Sequence, residues 1–298
     1  MPGSYVILDG RGVLAIEGED ARDFLQGLIS NDIEKATDDN AIYAALLTPQ
    51  GKYLFDFMIV QQGERLLLEA EASRLQPLSQ RRTMYKFRAR VEITDVSEEI
   101  AVVALPGDDG ITAFNLPEQR GAATRLDDGI VFVDPRLSAL GARAFVPMKS
   151  AQAIFETRGL KATDQSAYDS LRLQLGIPEG SRDLAVDKST LLESGFEELN
   201  GVDFKKGCFV GQELTARMKY RALVKKRLMP VAFEGEPPAS GAMIKAGDRE
   251  IGEIRSAENG WGLALLRLDR LADVTDQGKT LMADGKAVTP KKPDWVNF

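Results

Sequence analysis

The chain contains no histidine and a single cysteine, Cys208, in 298 residues. These shortages exclude much of enzyme chemistry. Without imidazole, no Ser-His-Asp triad, Cys-His pair, two-histidine zinc site or neutral-pH imidazole switch can be built within the chain. One thiol makes no intramolecular disulfide, CxxC redox pair or four-thiolate cluster site. Long apolar runs are missing too: no stretch approaches the roughly 18 to 20 residues of a membrane-spanning helix, and the N-terminus has no basic start followed by an apolar run and cleavage site. The expected setting is a reducing cytoplasm. Chemistry must come from Asp, Glu, Lys, Arg, Tyr, backbone amides and one thiol, and a single-thiolate site completed by another protein or a cofactor stays open.

With 44% hydrophobic residues the chain has enough apolar surface for two or three domains. Its net charge of −7 argues against general nucleic-acid coating, but the distribution is uneven. Between Lys205 and Arg227, Lys205, Lys206, Arg217, Lys219, Arg221, Lys225, Lys226 and Arg227 face one acid, Glu213, so this segment carries +7 and the rest −14. Arg81, Arg82, Lys86, Arg88 and Arg90 form a second basic stretch without an acid. Such stretches are either solvated faces or, if they meet, a surface for an anionic ligand or partner.

The pattern is α+β, without regular βαβ alternation. A helix is expected from Ala21 to about Ser30 with Asp20 as N-cap, then a hairpin of Ala41–Leu47 and Tyr53–Val60 around Thr48-Pro49-Gln50-Gly51. A strand from Arg65 to Ala70, a helix from Ser73 to about Tyr85 and a strand from Phe87 to Thr94 follow. Strands are expected at Ile100–Leu105, Gly121–Val133 and Ala142–Pro147, with a helix from Ser150 to about Arg158. Another runs from Thr163-Asp164 to Leu175, turns Tyr168, Leu171 and Leu175 inward, and stops at Gly176-Ile177-Pro178. Beyond Arg227, short apolar strands between Gly, Pro and Asp turns predict a small antiparallel barrel, the last running Thr280–Val288, with the tail from Pro290 lying over the surface. The expected division is an N-terminal α+β lobe over 1–97, a second α+β lobe over 98–223 interleaved with it, and a C-terminal barrel over 224–298.

Two places carry candidate chemistry. In Lys206-Gly207-Cys208-Phe209-Val210-Gly211-Gln212-Glu213 the only thiol sits beside glycines and two lysines, ahead of a helix starting near Gly211 that carries Arg217. Glycines allow close backbone approach, and a helix start offers amides to a carboxylate or phosphate or lowers a thiol pKa. A small buried structural cysteine is the other reading. In Tyr53–Val60, alternation puts Asp56 on the side of Leu54, Met58 and Val60, where a carboxylate needs a partner or a ligand.

The runs Leu171–Pro178, Phe204–Glu213, Ala216-Arg217 and Lys225–Leu228 resemble the YgfZ family, bacterial relative of the mitochondrial Iba-type iron–sulfur assembly factor within the folate-binding superfamily of the glycine-cleavage T-protein. Phe24–Asp32 and Gly51–Asp56 are similar too, so the resemblance spans nearly the whole chain, and the eight-residue KGCxxGQE pattern is specific. It implies a three-lobed fold around a central channel, with tetrahydrofolate or a related reduced folate in it and no stably bound metal. By the same resemblance Asp56 and Cys208 are candidate catalytic residues, and Asp56, Lys206, Gly207, Gly211, Gln212, Glu213, Arg217 and Arg221 candidate folate contacts.

The function implied is that of a folate-binding accessory factor, monomeric and off the membrane, for assembly or repair of iron–sulfur clusters in client enzymes, including tRNA-modifying radical enzymes. Two alternatives remain. One is a tetrahydrofolate-dependent aminomethyl or one-carbon transferase; Phe55-Asp56, where the T-protein commonly has paired acids, and the cysteine motif argue against it. The other is a tRNA-binding module using the basic stretches, against which stand the net negative charge and the lack of an RNP motif or zinc knuckle.

Overall fold

A computed structural model describes residues 3–85 and 89–297, those of 81–85 by backbone alone. Lys86, Arg88 and the expected strand start at Phe87 lie outside the described residues, as do the side chains of Arg81 and Arg82. In chain order the elements are β1 (Ser4–Ile7), β2 (Arg11–Glu17), α1 (Ala21–Gln26), β3 (Ile42–Leu47), β4 (Tyr53–Gln62), β5 (Arg65–Glu71), α2 (Leu75–Tyr85), β6 (Glu92–Asp95), β7 (Ile100–Pro106), α3 (Asp108–Ala113), β8 (Ala123–Leu126), β9 (Gly129–Val133), β10 (Gly141–Pro147), α4 (Ala151–Glu156), β11 (Lys161–Ala162), α5 (Gln165–Leu175), α6 (Gly180–Asp183) and α7 (Gln212–Tyr220). The barrel adds β12 (Lys226–Phe233), β13 (Met243–Ala246), β14 (Arg249–Glu258), β15 (Trp261–Arg267), α8 (Leu268–Asp276), β16 (Leu281–Ala283) and β17 (Lys286–Pro290).

Apolar residues on both faces of a strand require cover on both faces, and the strands of the two lobes are built this way. In β3, Tyr43, Ala45 and Leu47 join a core layer that also takes Val102 and Ala104 of β7, so the two sheets share it. The alternate residues Ile42, Ala44 and Leu46 turn outward against α1. Across the second sheet, Ala101, Val103 and Leu105 pack under α3 and α4. The first sheet has the order β3-β4-β5-β2-β6 and the second β11-β1-β7-β10-β9-β8. The first strand therefore belongs to the second sheet, and residues 1–97 do not form a self-contained lobe.

The expected barrel is closed, in the order β12-β15-β14-β13-β16-β17. Met229, Val231 and Phe233 of β12 fill its interior with Ile251, Ile254, Ala264 and Leu266. Leu228 and Leu263 join the layer shared by the two sheets, which fastens the barrel to the lobes.

Several local expectations are corrected. Thr280–Val288 is a hairpin turning at Asp284-Gly285, and Gly121–Val133 splits at Asp127-Asp128, because each acidic turn interrupts the apolar run. Asp20 holds the N-cap position of α1 but its side chain makes no cap bond; its carboxylate accepts from the Arg90 amide at 2.8 Å. On α5 the buried face holds Tyr168, Asp169, Arg172 and Leu173, while Leu171 and Leu175 are half-buried. The tail is inserted, with Val296 buried and the Trp295 indole donating to the Leu175 carbonyl at 2.7 Å.

Candidate functional site

The eight residues from Lys206 to Glu213 divide by what their side chains do. Lys206 is pinned: its ammonium donates to the Gln26 and Ile29 carbonyls, each at 2.6 Å, at the end of α1. Burial pulls its pKa down to about 8 against the opposing pull of Asp32 and Asp203. Gly207 has φ +90°, which glycine adopts without strain. Phe209 is buried and its amide donates to Gln212 Oε1 at 3.2 Å, while the Val210 amide reaches the Gly27 carbonyl at 3.1 Å.

Gly211, at φ +82°, starts α7 where a Cβ would lie 2.3 Å from the Thr48 carbonyl oxygen and 2.9 Å from Leu47 Cβ. Gly51 in the β3–β4 turn has the reciprocal constraint, 2.6 Å from Leu214 Cβ. The helix start and the hairpin turn are thus locked together through two glycines.

Cys208 and Glu213 are what remains. Both are exposed, and among the described residues neither side chain has a polar partner. Of the two lysines before the thiol, Lys206 serves α1 and Lys205 is exposed. Beside the thiol opens a pocket of about 280 Å³ lined by Asp203, Phe204, Gly207, Phe209, Gln212 and Tyr220 among others. Tyr220 is 74% exposed, an aromatic ring left in water at the pocket's edge. Arg217 and Arg221 are exposed on and just after α7. Arg227, grouped with them by the charge run, is instead buried, donating to the Leu192 carbonyl at 2.7 Å and to Glu198 at 2.6 Å.

Asp56 belongs to a different setting. Leu47 pairs with Tyr53 while Leu46 pairs with Phe55, so a bulge at Leu54 resets the alternation of β4. Tyr53, not Leu54, therefore shares the face of Asp56. Tyr53 donates its hydroxyl to Asp56 Oδ1 at 2.6 Å and Tyr43 donates to Oδ2 at 2.9 Å. The carboxylate found its partners inside the protein. Burial, then the negative charge of Asp56, pushes both tyrosines well above the usual phenol range.

An ionic layer that sequence reasoning missed lies beside it. Glu69, fully buried, pairs with Arg11 and accepts from Arg143 at 2.8 Å; Arg143 donates to Tyr168 at 2.5 Å, and Arg136 joins Tyr168 at 2.9 Å to Asp134 at 2.8 Å. Burial alone would raise Glu69, but Arg11 and Arg143 outweigh it and hold the carboxyl below its ordinary range. On α5, Arg172 is enclosed by Asp169, Glu179 and Asp183.

Arg11 and Glu179 also line a cleft of about 370 Å³, with Ser73, Gln165 and Arg182 on its walls. Glu179 Oε2 is buried without a hydrogen-bond partner, lying 3.1 Å from Arg172 Nε. An acid directly after the Gly176-Ile177-Pro178 stop was the signal available in the sequence. The structure brings Lys206, Gly207, Gly211, Gln212 and Glu213 together around Cys208; Asp56 lies apart from them, in the layer between the sheets.

Residues 9–110 match the GCVT N-terminal domain and residues 225–298 the CAF17 C-terminal beta-barrel domain. The chain is 33% identical over 309 residues to the mitochondrial iron–sulfur cluster assembly factor IBA57 of Mus musculus, covering 97% of this chain and 84% of that one. It is 32% identical over 283 residues to the same-named protein of Homo sapiens, covering 89% and 77%. Among solved structures, glycine cleavage system aminomethyltransferase T from Bartonella henselae superposes with a TM-score of 0.76 at 17% identity, over 99% of this chain and 86% of that chain. That likeness is one of fold.

Proposed function

Because the chain belongs to the IBA57 family of iron–sulfur cluster assembly factors, with a GCVT-like domain and a CAF17-type barrel, we propose that it matures iron–sulfur proteins by presenting Cys208 to a cluster-carrying partner. The observation that carries this is the division of labour in the motif. Lys206, Gly207, Phe209, Gly211 and Gln212 build a rigid platform, and the exposed thiol has no structural duty on it. It is the chain's only thiol, so a cluster bound here needs its other thiolate ligands from the partner. By the motif we place the chain in the bacterial YgfZ branch, acting in a reducing cytoplasm on four-iron clients such as tRNA-methylthiolating radical enzymes; the relatives named above are mitochondrial.

Reduced folate is the small ligand we propose. Asp56 fits it poorly, since both oxygens already accept from tyrosines in the core, and this also works against an aminomethyl-transfer role. The cleft fits better: a pterin edge offers paired N–H donors, and Glu179 lines it with Oε2 ion-paired to Arg172 at 3.1 Å and Arg182 at 3.5 Å but without an aligned hydrogen bond. Arg182, 44% exposed on the cleft wall, would hold the ligand's carboxylate oxygens.

The test has two arms. Cys208→Ser should fold like the parent and fail to restore four-iron enzyme activity in a deletion strain, and full restoration overturns the thiol's role. In calorimetry with 5-formyltetrahydrofolate, Glu179→Gln should weaken binding more than Asp56→Asn, and absence of saturable heat removes folate.

A further inference from the structure

We propose that the outer face of the barrel carries a docking groove for an acidic segment of a partner protein. The groove measures about 240 Å³ and lies across β12, β15, β14 and β13. Lys226 on β12 stands opposite Arg267 on β15, and Leu265, Glu253 and Met243 form the adjoining row across the next strands. Gly252 lets β14 pass close to β15 at the groove floor, since a Cβ there would come within 2.4 Å of the Leu265 carbonyl oxygen.

Four cations line this groove against two carboxylates, in a chain whose net charge is −7. The carboxylates do not balance them. Glu253 is taken by Arg255 at 3.0 Å, and Arg270 donates to the Glu250 backbone carbonyl at 2.7 Å, not to its carboxylate. Lys226 has no polar partner among the described residues, while Arg267 reaches Asp269 only at 3.6 Å and its Nε is buried without a hydrogen bond. The positive charge continues along the chain through the exposed Lys225 and Arg221.

The chemistry selects among anionic partners. Glu250 and Glu253 would repel an unbroken phosphate backbone, and no aromatic side chain lines the groove to stack a base. Separate carboxylates on a peptide can sit between the two glutamates. Met243, 40% exposed, and Leu265 supply an apolar strip for side chains between those carboxylates.

The probe is a short fluorescein-labelled peptide of alternating glutamate and leucine, followed by anisotropy with the full chain, and a single-stranded oligonucleotide of equal charge is titrated in parallel. Saturable peptide binding is expected, weakened about tenfold or more by Lys226→Glu combined with Arg267→Glu. Met243→Glu, at an exposed position that should not disturb the fold, should weaken it severalfold. Absence of saturable binding, equal binding by both variants, or tighter oligonucleotide binding lost in the double variant would overturn the proposal.

Discussion

Asp56 and Cys208 attract attention for the same reason, a reactive group in an unusual setting, yet their surroundings are opposite. Around Asp56 the charged groups are paired inside the protein: two tyrosine hydroxyls close the carboxylate, and Arg11, Arg143 and Arg136 are tied to Glu69, Asp134 and Tyr168, with Glu69 Oε2 and Arg143 Nε buried without a hydrogen-bond partner. Around Cys208 the neighbours satisfy the backbone of other elements and leave the thiol alone. A buried charge without its partner is costly, whereas an exposed thiol costs nothing to maintain. Polar chemistry in the core therefore reads as architecture, and polar chemistry on a rigid rim reads as function.

The largest effect should come from the core. Glu69→Ala leaves Arg11 and Arg143 buried with their main acceptor gone, a loss of about 3–5 kcal/mol measured by urea unfolding. Acid should act on the same layer. Glu69, Asp134 and Glu179 all have depressed folded pKa values, so their contribution is complete above the ordinary carboxylate range and is lost as pH falls through the folded values. Unfolding midpoints taken from pH 7 to pH 3 should fall steeply below about pH 4.5, and a flat profile would contradict the ionic layer.

Next comes the platform under the thiol. Gly211→Ala puts a Cβ against the Thr48 carbonyl at positive φ, and should cost about 3 kcal/mol in thermal or urea unfolding. Asp56→Asn keeps one acceptor and should cost about 1–2 kcal/mol, without affecting alkylation of Cys208. The smallest change in stability belongs to Cys208→Ser, under about 0.5 kcal/mol, although it should have the largest effect on client enzymes. If that variant were instead strongly destabilised, the contrast between core and rim would collapse.

Sequence patterns located most of this molecule but not its internal allegiances. The β3–β4 hairpin, α5 with its Gly176 stop and the barrel strands follow from apolar runs and turn residues. The bulge at Leu54 does not, because one skipped residue leaves the apolar run unbroken while moving Tyr53 to the other face. α3 is six residues with a glycine inside, whereas α8 does carry an apolar stripe of Leu268, Leu271 and Val274 at helical spacing, which the strand pattern expected here passes over. The ionic layer joins Arg11 to Glu69 and Glu69 to Arg143, pairings 58 and 74 residues apart that no local pattern records. The motif around Cys208 stood out as a unit, but nothing in its spacing separated the lysine that caps α1 from the cysteine that faces solvent.

The placement of β1 sets an order of events during synthesis. Its partners are β7, beginning at Ile100, and β11, at Lys161–Ala162, so Val6 and Ile7 leave the ribosome long before the strands that will cover them. At about 5 to 20 residues per second that wait is on the order of 5 to 20 seconds for β7 alone. β1 is made well before its partners, and the second sheet closes around a segment that a nascent chain must keep from pairing elsewhere in the meantime.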